Sequence, residues 1–149
     1  MGYVSGVGRQ APSFTLPALD GGEISLADYR GDWFPVVMFL SPDDERAVAA
    51  LKALAGAADR LWGLRGQVVG IVAAGDQWER SALEDLAVPV LVDRGGEVAR
   101  SYGTRADGTG RDIPLVCIVD RAGRIVWSGR PDPGDIAAEV VRAFRDVAR

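Results

Sequence analysis

The chain has no histidine and a single cysteine, Cys117, in 149 residues. That pair of scarcities removes much of the usual catalytic repertoire. An intramolecular disulfide, a Cys/His zinc site and any dyad or triad built on histidine are all excluded. Lysine is nearly absent too: Lys52 stands alone, and the other cations are arginines spread along the chain. The net charge is −4. Phosphate binding needs clustered cations, so nucleic acid is not an expected partner. No apolar run approaches the length of a membrane span, so no membrane partner is expected. Met1 to Gln10 has no basic segment followed by an apolar one, so no signal peptide is expected and residence is cytoplasmic by default. There are no repeats and no low-complexity stretches.

What is present is the profile of one globular domain, residues 1–149. Apolar residues make up 48% and charged residues 26%, enough to bury a core without staples. Gly, Pro and Asp cut the chain into alternating strand and helix segments. Phe14–Leu16 and Glu23–Leu26 flank Asp20-Gly21-Gly22, the pattern of a hairpin with a glycine turn. Val36–Leu40 is a continuous apolar run, as in a strand covered on both faces. Ser41 then has the chemistry of a helix cap, Pro42 suits the first helical position, and Asp43, Asp44 and Glu45 suit the positive end of the dipole. Val48, Leu51, Leu54, Ala58, Leu61 and Trp62 predict one buried face, with Gly66 ending the helix.

Further on, Val68–Ala73 and Val88–Val92 read as buried strands. Between them Asp76 and Glu79 form a capping box for a helix bearing Trp78, Leu83 and Leu86. Glu97–Tyr102 reads as a short helix, and Gly103–Asp112 as a polar loop. Leu115–Val119 and Arg124–Trp127 pair across Arg121-Ala122-Gly123. Asp132 caps a last helix, with Pro133 in its first turn and Ile136, Val140, Phe144 and Val147 on one face. The expected architecture is an α/β sandwich with a mixed sheet.

Four stretches carry a resemblance to a known family. They are Gly8–Leu16, Ile24–Gly31 followed by Val36–Leu40, Val90–Gly103, and Pro114–Ile125. In this order they resemble the alkyl hydroperoxide reductase / thiol-specific antioxidant (peroxiredoxin-like) family. The resemblance implies a thioredoxin-like three-layer sandwich, with a mixed central sheet flanked by helices and an N-terminal hairpin. It implies that Pro114 is a cis-proline facing the active-site helix, and that the protein forms a homodimer. Trp33-Phe34 beside Pro35 is a candidate for aromatic surface at a subunit contact. Trp62 and Trp78 fit helix faces that pack on the sheet.

The resemblance also implies where chemistry belongs. The family holds its attacking cysteine in a P-x-x-x-T/S-x-x-C motif, where free amides and the helix dipole stabilise a thiolate. Pro42 matches the motif's proline, but Arg46 falls on the Thr/Ser position and Ala49 on the cysteine. In the C-x-x-C register of disulfide reductases, the two positions are Asp44 and Ala47. The family's arginine before the late strand falls on Pro114, with Arg111 three residues earlier. Asp43, Asp44 and Glu45 would raise the pKa of any thiol placed among them.

Three readings follow. The first is a redox-inactive homologue that works by binding or assembly, and it is preferred. The second is a thiol enzyme using Cys117, against which the flanking aliphatics point to a small buried core residue. The third is a small-anion or metal site built from Arg46, the first-turn amides and the acidic cluster. No cofactor is implied, and the sequence names no small-molecule ligand.

Overall fold

The computed structural model describes residues 7–74, 80–103, 115–132 and 134–148, and of Ala82 the backbone alone. A five-stranded mixed sheet forms the middle layer, in the order β5-β4-β3-β6-β7. β3 (Phe34–Leu40), β4 (Gly66–Ala74) and β5 (Val90–Arg94) are parallel, and β6 (Leu115–Val119) and β7 (Ile125–Gly129) continue antiparallel. All seven residues of β3 are buried, because its alternate side chains enter two cores on opposite faces of the sheet. Val36, Met38 and Leu40 pack under α1 (Glu45–Gly56), α2 (Ala58–Trp62) and α5 (Ile136–Val147). Val37 and Phe39 pack toward the hairpin of β1 (Thr15–Pro17) and β2 (Glu23–Ser25) and toward α4 (Glu97–Ser101). The three-layer sandwich and its N-terminal hairpin are as the sequence predicts.

Several boundaries differ, each for a local reason. The first helix begins at Glu45, not after Ser41. Asp44 is extended (φ −92°, ψ 101°), and its carboxylate takes two amides, those of Arg46 and Ala47. Ser41 Oγ takes only the Asp43 amide, at 3.4 Å. The carboxylate, which satisfies two orphan donors, therefore sets the helix start. The predicted single helix is two: α1 ends at Gly56, and α2 resumes after Ala57. Gly66 does not end a helix but opens β4, where a Cβ would lie 2.7 Å from the Phe144 ring.

β5 begins two residues late, at Val90. Pro89 has no amide to give the ladder, and its carbonyl instead accepts from Gly70 N–H at 2.9 Å. At the C-terminal helix, Asp132 makes a turn by accepting from Gly134 N–H, and Asp135 occupies the cap. The helix before β5 appears as α3 (Ser81–Glu84), with Leu83 buried. Asp76, Trp78, Glu79, Arg111, Pro114 and Pro133 lie outside the described residues, as does most of the 103–112 loop.

Candidate functional site

The turn that follows β3 is where the sequence places the family's chemistry. β3 delivers the chain to Ser41 at the C-terminal end of a parallel strand, a usual place for a site in an α/β fold. Pro42 is half-buried, and Asp43, Arg46 and Ala49 are exposed. Because α1 starts at Glu45, Ala49 is the fifth helical residue and lies in the second turn. Ala47, in the disulfide-reductase register, is fully buried in the core.

The electrostatics of this helix start are already settled by the chain itself. Asp44 Oδ1 accepts from Arg46 N–H at 3.0 Å and from Ala47 N–H at 3.2 Å. Asp44 carbonyl accepts from Val48 N–H at 3.0 Å, closing the first helical turn. A negative charge thus occupies the positive end of the dipole, and it is a side-chain carboxylate in the place a thiolate or bound anion would use. Arg46 therefore finds no pair of open first-turn amides with which to hold an anion. Among the described residues, no group of three or more carboxylates, thiols or imidazoles is arranged to hold a metal ion, and the 43–45 cluster is no exception.

Cys117 is far from being a substitute. It lies mid-strand in β6, paired with Val37 of β3 and Ser128 of β7. Its side chain enters the core on the hairpin side of the sheet, whereas α1 covers the other face. Only 1% of the residue is exposed. Burial pushes the thiol up to about 12, with only a partial lowering by Arg130. Tyr102 shares this core; burial first, and then the nearby Cys117, raise its phenol. The phenol hydroxyl donates to Pro12 carbonyl at 2.7 Å, tying α4 to the N-terminal segment.

Two features went unread in the sequence. Asp93 is a buried carboxylate, 2% exposed, which accepts from Val98 N–H at 3.2 Å and Ala99 N–H at 2.9 Å. The signal was present as Asp93-Arg94-Gly95-Gly96-Glu97, an acidic residue and a glycine turn before a short helix. Beside it, a cavity of about 520 Å³ lies between Thr15–Ala18 and Val92–Val98, with Arg80 on its rim. The second feature corrects an expectation. Trp62 does not pack on the sheet; it is 59% exposed and lies against Trp33, with ring centroids 5.5 Å apart. Trp33 is half-buried as the sequence suggests, while Phe34 is buried against Phe144.

The profile of the AhpC/TSA family matches residues 7–128. The chain belongs to that family. This AhpC/TSA protein is 28% identical over 131 residues to a peroxiredoxin of Thermoplasma volcanium, covering 81% of this chain and 63% of that protein. It is 27% identical over 148 residues to the chloroplastic peroxiredoxin Q of Suaeda salsa, covering 94% and 68%. The chain thus spans about two thirds of the length of these relatives. In fold it is similar to peroxidoxin BcpB of Mycobacterium tuberculosis, with TM-score 0.80 and 18% identity over 95% of this chain and 97% of that one. The peroxiredoxin-like, thioredoxin-type fold is therefore established. The single cysteine of this AhpC/TSA protein, buried in β6, is consistent with a missing peroxidatic residue. Among the described residues, no helix is long and apolar enough to cross a membrane.

Proposed function

We propose that this protein does not reduce peroxides and acts through binding or assembly, as a cytoplasmic homodimer. The observation that carries the reading is the helix start at Asp44–Ala49. The family motif would place its nucleophile on Ala49, and the amides that would stabilise a thiolate donate to Asp44 instead. Peroxide reduction needs a thiolate sulfur to attack one peroxide oxygen and expel the other. Ala49, Asp44 and Ala47 supply no sulfur in either register. The one thiol in the chain sits on the other face of the sheet, inside a core. That burial is the argument against a thiol enzyme built on Cys117.

The direct test is peroxide consumption by the native protein at micromolar hydrogen peroxide and at an organic hydroperoxide, with dithiothreitol and with a thioredoxin system as donors. The expected result is no consumption above the buffer rate with either donor. Turnover with either donor would sink the proposal, and loss of that turnover in Cys117→Ala would identify the nucleophile. Sedimentation at micromolar protein checks the homodimer.

A further inference from the structure

The cavity between β1 and the end of β5 follows from a break in strand pairing. Ala18 bridges Leu91 antiparallel, and Leu19 N–H donates to Val90 carbonyl at 2.9 Å, so the chain leaving β1 runs along the outer edge of β5. The next pair in that register is Pro17 with Val92. Proline has no amide to donate, so the ladder ends there and the two segments part. On the far side Gly95 and Gly96, at φ 80° and 72°, fold the chain back into α4. The Asp93 carboxylate fixes that turn by accepting from the Val98 and Ala99 amides. Both walls are therefore set by the fold, at the carboxyl end of a parallel strand, where ligands of α/β sheets commonly bind.

The lining divides by chemistry. Leu16, Pro17, Val92 and Val98 supply apolar surface. Arg80 and Arg94 bring two guanidiniums, and Asp93 and Glu97 bring two carboxylates, so the described lining carries no net charge. Asp93 is 2% exposed and each of its oxygens already accepts an amide, which leaves the exposed Glu97 to meet a cation. At about 520 Å³ the space falls within the range of roughly 300–1,000 Å³ usual for small-molecule sites.

We propose that this cavity binds a free α-amino acid with an apolar side chain. Its carboxylate meets Arg80 and Arg94, its ammonium meets Glu97, and its side chain lies against Pro17 and Val98. The balance of charge decides the class. A simple carboxylic acid suits the guanidiniums but sets a second negative charge beside Glu97. An amine suits Glu97 and opposes the two arginines. A polyanion such as a nucleotide multiplies the first conflict. A zwitterion meets both signs at once, and having no net charge it is indifferent to the −4 of the chain. The site uses no residue of the Ser41–Ala49 turn, so it stands whether or not the protein consumes peroxide.

The test titrates the isotope-labelled full protein with L-leucine and follows its backbone amides by NMR. Three analogues run beside it: 4-methylpentanoic acid, which lacks the amine, 3-methylbutylamine, which lacks the carboxylate, and glycine, which lacks the side chain. Leucine is expected to saturate with a Kd of about 1 mM or tighter, ordinary for a ligand of about nine heavy atoms. The amides of Leu16, Ala18, Val92 and Val98 should shift most. Each analogue is expected to bind at least about fivefold more weakly, the size of one lost charged contact or buried side chain. Glu97→Gln should abolish the preference for leucine over the acid, and Arg94→Gln the preference over the amine. Each preference is a ratio within one variant, so a general loss of stability does not imitate it. Binding of the acid or the amine as tightly as leucine would overturn the proposal. So would preferences unchanged in both variants, saturable shifts confined to amides outside residues 15–18 and 92–98, or no saturation by about 10 mM leucine.

Discussion

Cys117 should behave as a thiol that reacts only when the protein opens. Its Cα partners are Val37 and Ser128, so reaching the sulfur means separating β6 from its neighbours or peeling away the hairpin-side core. Two routes lead to a labelled thiol, and each is slow; the first is reaction in the folded state. Raising the pKa from the model-compound 9.0 to about 12 cuts the thiolate fraction at pH 7 from about one in a hundred to about one in a hundred thousand, a factor of about a thousand. The second is opening: the exposed thiol regains its ordinary pKa, and the rate is then limited by the open fraction alone, ~10⁻⁴ or less for a domain stable by more than ~5 kcal/mol. The perturbation is urea, and the assay is the rate of labelling by a sulfenic-acid trap after peroxide, or by an aromatic disulfide, read by intact mass. Native protein should label at least a thousandfold more slowly than protein in 8 M urea. The logarithm of its rate should rise along the unfolding curve.

The same shift makes a pH prediction. The folded state holds the thiol protonated above its unfolded pKa. Stability from this group is therefore fully present below about pH 9 and is lost as pH rises through the folded value near 12. Three pH units correspond to about 4 kcal/mol. Cys117→Ala should remove that loss while leaving the contribution of Tyr102, whose phenol is also raised by burial. The urea midpoint of the native protein should thus fall more steeply between pH 9 and 11.5 than that of Cys117→Ala. Parallel curves, or native labelling as fast as in urea, would refute the buried-core account of Cys117.

Three further outcomes test the packing. Asp44→Ala should lower stability by about 1 kcal/mol in urea denaturation, because two first-turn amides lose their acceptor, while Ser41→Ala should cost much less. Gly66→Ala should cost about 1–3 kcal/mol, since the new methyl would meet Phe144 Cε2 and Cζ at 2.7 Å. Asp93→Ala should cost about 1–3 kcal/mol by leaving the Val98 and Ala99 amides without acceptors, and hydrogen exchange should speed up first in α4.

An α/β sandwich with a mixed sheet was within reach of pattern alone, because β3 and β6 are uninterrupted apolar runs and α5 keeps one clean face, whereas the strand order was not read from the sequence. Cap identity was not. Ser41, Asp43 and Asp44 all have capping chemistry, and only the extended backbone of Asp44 decides which carboxylate folds back on the helix. Gly66 was misread for a similar reason: its requirement comes from Phe144, far away in sequence, and leaves no local mark. Trp62 follows the helical period of the buried face, yet the helix breaks at Ala57, and beyond the break the indole is exposed against Trp33. A periodicity argument assumes an unbroken helix.

That three-residue displacement of the helix start also governs what a restored thiol could do. Ala49→Cys puts a sulfur at the position the family motif designates, but geometry and not identity sets its reactivity. The open donors of a helix are those of its first four residues, here Asp44 to Ala47, and two of these already serve the Asp44 carboxylate. A thiol at position 49 is exposed, sits past those donors, and lies one helical turn beyond the carboxylate of Glu45. Its pKa should stay near or above the ordinary ~8.5 of a free cysteine, and its peroxide rate near that of a free thiol. Peroxide consumption by Ala49→Cys, measured against the same variant in urea, should show no more than about a tenfold advantage for the folded state. An advantage of a thousandfold would mean that the fold still supplies an activating site and that only the sulfur had been missing.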